Sequence, residues 1–274
     1  MNGSNWYISA VLLKIASYTF SAARFGFYRS LIKKGLIRNR FADVVILSYP
    51  KSGRTWLRVM LEHVPVCLKW THDDAEALYR LERPFSVSPI LPDTYRGKKV
   101  ILLARDPRDI LVSSYFHAAR RERIFTGSLS EFLSDSRFGI RNIIACHTAW
   151  FRGRNIPGKF MTIYYKDLHQ NPVESLNRIF AFLNTKPPSQ RKLKNIVNLY
   201  SFSSMKKLEK SGIFRVRHGR YLRPANKNDT NSFKVRKGKT RGYVDYLSRE
   251  EIEWCTGLMN ATNCQLYKRY LTGK

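Results

Sequence analysis

Ala42-Asp43-Val44-Val45-Ile46-Leu47-Ser48-Tyr49 is a continuous, largely β-branched run of strand length; it ends in Pro50-Lys51-Ser52-Gly53 and passes into a helical pattern from Thr55 to Glu62. Apolar runs bounded by turn residues read as buried strands, so this stretch is strand, loop, helix. The same order recurs at Lys98 to Arg105, where Asp106 and Pro107 supply the N-cap and first position of a helix running to about Arg121. Further strands are expected at Val66 to Trp70 and at Phe160 to Tyr165, with a helix from Pro172 to about Leu183. Apolar strands alternating with amphipathic helices indicate an α/β fold: a single domain with a central parallel sheet flanked by helices, P-loop-like, covered on both faces. Ligands of such sheets sit beyond the strand C-termini, which makes the loops after these strands the place to look.

Outward from this frame the charge is uneven. The 274 residues carry 49 Lys or Arg against 20 Asp or Glu, a formal charge of +29, with 43% apolar and 13% aromatic residues. So apolar a chain buries a sizeable core, which excludes global disorder. So much self-repulsion points to a polyanionic partner: nucleic acid, acidic lipid, or a phosphate- or sulfate-bearing ligand. From Lys186 to Arg241 there are 17 Lys or Arg against Glu209 and Asp229, in a basic C-terminal region that reads as mostly helix and loop, with residues 224–234 as a lid-like loop. Residues 1–40 hold seven basic residues and no acidic one. Lys14 and Arg24 interrupt the apolar run from Trp6 to Tyr28, each at roughly 2.5–3.5 kcal/mol near a bilayer centre, which argues against a membrane span. Lys14, Ser17, Ser21 and Arg24 instead draw a polar stripe on a basic amphipathic helix, which either packs on the domain or, through residues 6–40, lies on a membrane surface. Cys67, Cys146, Cys255 and Cys264 show neither zinc-ligand spacing nor a disulfide framework, which suggests a cytoplasmic protein, peripheral to a membrane if at all, and no metal.

The loop Tyr49-Pro50-Lys51-Ser52-Gly53-Arg54-Thr55-Trp56 is built for an anion. Gly53 lets the backbone approach, Ser52 and Thr55 offer hydroxyls, Lys51 brings a compact cation, and the following helix presents unpaired N–H groups at its positive end. The G-x-x-x-x-G-K-[ST] spacing is absent and Lys51 precedes the glycine, which removes the main support for a nucleoside triphosphatase.

Tyr-Pro-Lys-Ser-Gly-x-Thr-Trp at the end of the first strand resembles the 5′-phosphosulfate loop of sulfotransferases that use 3′-phosphoadenosine 5′-phosphosulfate (PAPS). Arg105-Asp106-Pro107-Arg108-Asp109-Ile110-Leu111-Val112-Ser113-Ser114-Tyr115 resembles their 3′-phosphate motif, which implies a clamp made by Arg105 and Ser113. Three shorter segments extend the likeness. Tyr165-Lys166-Asp167-Leu168 implies Tyr165 near the adenine; Ser201-Phe202-Ser203-Ser204-Met205-Lys206 implies Phe202 stacking on that base opposite Trp56; Val235-Arg236-Lys237-Gly238 implies Arg236 and Lys237 on the 3′-phosphate. The chain departs from the family in Arg54, which replaces a common threonine, and in Tyr243-Val244-Asp245, where Asp-Trp is frequent. Residues 41–274 are expected to form the sulfotransferase domain.

The resemblance implies in-line transfer of a sulfuryl group from PAPS to an acceptor hydroxyl, less readily an amine, leaving adenosine 3′,5′-bisphosphate (PAP) without a metal. Lys51 is the residue expected to neutralise the leaving phosphate; a unit charge at about 4 Å is worth roughly 4 kcal/mol at an effective dielectric of 20. In Lys69-Trp70-Thr71-His72-Asp73-Asp74 the expected general base is His72, with Asp73 or Asp74 as the alternative. His63, His117, His147, His169 and His218 read as surface or packing residues. The surplus of positive charge leans toward an acidic or membrane-borne acceptor, a glycan or lipid head group, over a small phenol. Nucleic acid is not the expected partner, since a charge run is more often a solvated face; a nucleotide kinase on the same sheet type is a further alternative.

Overall fold

The computed structural model describes residues 43–64, 66–82, 85–212, 214 and 222–272. The basic segment 1–40, with its membrane-surface reading, and His218 lie outside the described residues. Four parallel strands, β1 (Val44–Leu47), β2 (Lys69–Thr71), β3 (Lys99–Ala104) and β4 (Lys159–Tyr164), form one sheet in the order β2-β1-β3-β4. Side chains alternate across a strand, so each apolar run feeds two cores. Val45, Leu47, Val100, Leu102 and Ala104 point to one face, and Val44, Ile46, Ile101, Leu103 and Ile163 to the other.

Helices cover both faces, as expected for an α/β fold. In chain order they are α1 (Arg54–Leu61), α2 (Pro107–Phe116), α3 (Leu129–Ser134), α4 (Ile140–Arg152), α5 (Tyr165–Gln170), α6 (Pro172–Phe182), α7 (Gln190–Leu199), α8 (Phe202–Ser211), α9 (Arg249–Ala261) and α10 (Lys268–Leu271). The first core packs on α2, α3, α4 and α9, through Ile110, Phe132, Trp150 and Met259, and the second on α1, α6, α7 and α8, through Leu57, Ile179, Ile196 and Leu208. Each such side chain contributes about 1.5–3 kcal/mol by burial.

The helix expected to reach Arg121 stops at Phe116 and continues as a π turn over His117–Glu122, whose extra residue per turn re-aims the side chains after it. The second strand lies at Lys69–Thr71, not Val66–Trp70, and Tyr165 opens α5 instead of ending β4. The stretch 224–234, expected as a lid-like loop, is a compact turn in which Ser232 Oγ donates to Asn226 and Asp229 carbonyls, each at 2.8 Å. No helix among the described residues is long and apolar enough to cross a membrane.

Strand order sets the functional geometry. The residues that follow the four strands stand side by side in the row His72, the Lys51 loop, Arg105 and Tyr165, with neighbouring strands about 4.8 Å apart.

Candidate active site

After β1 the chain turns sharply: Lys51 (φ 71) and Gly53 (φ 94) both take left-handed backbone. Helix α1 then starts with no side-chain cap and no acidic residue in its first turn, which leaves its N–H groups and positive end for an anion. Ser52 is fully buried and its Oγ has no protein partner; a hydroxyl so placed costs about 1–3 kcal/mol unless something pairs with it. Gly53 is required twice over. Besides its φ, a Cβ there would stand 2.6 Å from Cδ2 of Tyr165. Gly53→Ala should therefore lose about 1–2 kcal/mol of stability in urea denaturation from the backbone alone, and a wild-type midpoint would show that the loop relaxes freely.

Arg105 ties the site together. Its Nη1 donates to the Lys51 carbonyl at 2.9 Å and its Nη2 to the Lys239 carbonyl at 3.3 Å, with the guanidinium 4.4 Å above the Tyr165 ring. The Nε, 3.9 Å from Asp109 Oδ2, is buried without a hydrogen bond. A simple Arg105–Asp109 ion pair does not describe this, because the Asp109 oxygens accept from the backbone N–H of Arg241 (3.0 Å) and Tyr243 (3.1 Å). Ser113 lies half-buried on α2, one turn before Phe116, and Arg236 stacks 4.0 Å over the Phe116 ring and donates to Tyr246. The Arg236 charge is within reach of Arg105 and Asp109, so Arg105, Ser113 and Arg236 gather around α2.

Lys237 is placed differently. Its ammonium pairs with Asp245 at 2.9 Å beside Lys239 at 2.7 Å, and those two cations draw the Asp245 carboxyl down to about 2. Gly238 (φ 62) presses on Phe202, where a Cβ would meet the ring at 2.1 Å, and its carbonyl accepts from His169 Nε2 at 2.8 Å. His169 in turn meets Trp56 edge-on at 6.3 Å, and Trp56 Nε1 donates to the Tyr200 carbonyl at 2.7 Å. Trp56, His169, Gly238, Phe202 and Tyr165 thus share one wall, and His169 belongs to it. Ser201 is committed to capping α8, its Oγ accepting from Ser204 N at 3.4 Å. Thr55 is the half-buried second residue of α1, and Arg54, the first, faces Glu76 at 3.6 Å.

His72 follows β2, on the other side of the Lys51 loop from Arg105. Its Nδ1 donates to the Ser48 carbonyl and its backbone N–H to Glu76 Oε1 at 2.8 Å. The Ser48 contact fixes the Nδ1–H tautomer and leaves the Nε2 lone pair as the basic atom. Burial first, then the Arg54 charge, holds the imidazole well below its ordinary range, so it is neutral. Of the alternative bases, Asp74 Oδ2 accepts from Ser88 N at 2.7 Å, and Asp73 Oδ1 accepts from Tyr95 at 3.0 Å while its Oδ2 is buried without a hydrogen bond.

Three residues without a sequence signature of a site complete it. Glu209 of α8 is fully buried and accepts from the backbone N–H of Lys234 and Val235, each at 2.7 Å, and from Arg121 Nη1 at 3.3 Å. Arg121, delivered by the π turn, also donates to the carbonyls of Ser232 (3.1 Å) and Arg223 (2.7 Å). Lys234, two residues before Arg236, is pushed down to about 8 by burial and then by Arg121. Burial, then Lys234 and Arg121, lowers Lys51 as well. His117 shares this environment: burial and Lys51 pull its imidazole to about 2.

The model of the sulfotransferase domain matches residues 71–262. The chain belongs to the sulfotransferase family. This sulfotransferase is 26% identical over 259 residues to flavonol 3-sulfotransferase of Flaveria bidentis, covering 77% of its own length and 78% of that protein. To sulfotransferase 2A2 of Mus musculus it is 27% identical over 259 residues, covering 79% and 84%. Among solved structures it resembles mouse sulfotransferase SULT7A1 complexed with PAP at a TM-score of 0.62 and 22% identity, over 85% of this chain and 89% of that one. Retinol dehydratase, in complex with androsterone and PAP, matches at 0.54 and 18% identity, over 82% and 81%. The matched domain includes His72, Arg105, Ser113 and Arg236; the Tyr49 to Trp56 loop precedes it, and its part in the site rests on its own geometry.

Proposed function

We propose that this sulfotransferase moves the sulfuryl group of PAPS onto an acceptor hydroxyl. The observation that carries this reading is the hydrogen bond from Arg105 to the Lys51 carbonyl: it joins the two anion-binding segments at neighbouring strand ends, within the span of one nucleotide. The unpartnered Ser52 Oγ and Arg105 Nε, and the Gly53 cradle, suit phosphate oxygens. The solved relatives complexed with PAP support the same donor.

In this reading Lys51, Ser52, Gly53, Arg54 and Thr55 hold the 5′-phosphosulfate end, and Arg105, Ser113 and Arg236 hold the 3′-phosphate. Lys237 and Gly238 close the loop over it, and Trp56, Tyr165, Phe202 and Ser201 form the adenine wall. PAPS, when bound, supplies the sulfuryl group and a phosphate leaving group. Lys51 places a positive charge where negative charge grows as that phosphate departs. His72 Nε2 takes the acceptor's hydroxyl proton, with Ser48 holding the ring in the competent tautomer. The apolar wall and the latched loop limit water, so that the acceptor competes with hydrolysis.

The test is binding of PAP to the folded chain by calorimetry, then transfer of labelled sulfate from PAPS in an acceptor screen; no affinity for PAP ends the proposal. With an acceptor in hand, kcat/KM should stay flat down to a pH below the range of a free imidazole, because His72 remains neutral there. An acid limb in the ordinary histidine range that persists in His72→Asn assigns the base elsewhere.

A further inference from the structure

Along α2, Asp109, Ser113 and Phe116 stand at i, i+4 and i+7, a spacing that sets their side chains in one row. Ser113 is proposed at the 3′-phosphate, and Phe116 carries the Arg236 guanidinium 4.0 Å over its ring. Asp109 begins the row and is buried, at 4% exposure. Helix capping does not account for it. Asp106 is the cap of α2, accepting from Arg108 N at 3.0 Å. Both Asp109 oxygens instead reach out of the helix to the backbone N–H of Arg241 at 3.0 Å and of Tyr243 at 3.1 Å, 132 and 134 residues along the chain.

Those two N–H groups fix the chain where it reverses. Arg241 takes left-handed backbone (φ 58), and Gly242–Asp245 follows it as a tight turn. Two residues before Arg241, the Lys239 carbonyl accepts from Arg105 Nη2 at 3.3 Å, while the other terminal nitrogen of that guanidinium donates to the Lys51 carbonyl at 2.9 Å. The segment 236–246 is thus fastened to α2 at both Phe116 and Asp109, and Arg105 joins it to the loop after β1.

A buried carboxylate 3.9 Å from Arg105 Nε is otherwise misplaced beside a phosphate site, because like charges at such range repel. On charge alone, removing it should tighten the binding of an anion. Its two backbone contacts argue the opposite outcome: without them nothing in the row holds the strap at 241–243, and the Lys239 carbonyl that orients Arg105 is carried on that strap. We propose that Asp109 is a positioning residue for the 3′-phosphate, its carboxylate holding the 239–243 backbone so that Arg105 and Arg236 meet that phosphate in register. This rests on the PAPS reading above and adds a residue that does not itself touch the nucleotide.

Asparagine offers one side-chain oxygen where two N–H groups need acceptors, so Asp109→Asn removes the negative charge and leaves one N–H unpaired. The test compares wild type with this variant, as full chains, by calorimetric titration with PAP and with ADP, which has the adenosine 5′ end but no 3′-phosphate. The dissociation constant for PAP should rise about tenfold, as expected for loss of a charge-assisted hydrogen bond, and that for ADP less than twofold. Amide hydrogen exchange over 239–243, read without any ligand, should quicken. Unchanged or tighter PAP binding, an equal loss for PAP and ADP, or unaltered exchange at 239–243 overturns the proposal and leaves the donor reading standing. If circular dichroism shows that the asparagine variant does not fold, Asp109→Glu, which keeps the charge and displaces it by one methylene, carries the same comparison. A folded wild-type chain without affinity for PAP removes both readings.

Discussion

Replacing Lys51 by methionine is expected to lower single-turnover sulfuryl transfer about 10²- to 10³-fold, the cost of removing one preorganised partner of a developing charge, while PAP affinity falls far less. The asymmetry follows from position. The backbone around Lys51 holds the loop in place whatever its side chain: the residue is left-handed and its carbonyl is pinned by Arg105 at 2.9 Å. Burial first, then the charges of Lys234 and Arg121, lowers the proton affinity of the ammonium, so its electrostatic benefit is largest when an anion sits in front of it. Arg105→Ala should show the reverse pattern, with PAP affinity hit harder than the transfer step, because the guanidinium ties the loop after β1 to Lys239 near the C-terminal loop. Stopped-flow turnover and PAP calorimetry on both variants separate the roles; equal losses in affinity and rate for Lys51→Met would reduce it to a binding residue.

Glu209→Leu should destabilise the fold by about 3–5 kcal/mol, the range for removing one partner of a buried charge pair. The leucine would leave Arg121 without its carboxylate and the backbone N–H groups of Lys234 and Val235 without acceptors. Glu209→Gln keeps a carbonyl acceptor and should lose less. Urea denaturation gives the stability, and PAP titration of the milder variant shows whether slack in this latch propagates to Arg236, one residue beyond Val235. A loss under about 1 kcal/mol for the leucine variant, within the range of surface changes, would mean that the latch contributes little.

Much of the frame was legible because its signals are local. Val44 to Leu47 and Val100 to Ala104 are apolar without a break, and runs this short, β-branched at their start and followed by turn residues, suit a strand buried on both faces. Pro107 following Asp106 announces a helix start, and Asp106 does accept from Arg108 N. Ser128 with Glu131 and Ser248 with Glu251 are capping boxes that open α3 and α9, so these helices carried a readable signal that periodicity alone passes over. The π turn at His117–Glu122 carried none: continuation as α-helix or π turn there depends on what Arg121 reaches, and its partners are 88 to 111 residues away in the chain.

The same division runs through the site. An anion loop at Lys51, Ser52 and Gly53 is readable from neighbouring residues at a helix start, whereas the expected Arg105–Ser113 clamp comes from the resemblance to the sulfotransferase 3′-phosphate motif. Only the tertiary structure decided that His72 faces Ser48, that Lys237 turns to Asp245 while Arg236 joins Arg105, and that Lys234, Arg121 and Glu209 meet. Burial sets the pKa of a lysine or the worth of a carboxylate, and burial is a property of what packs around a residue, not of the residues beside it in the chain.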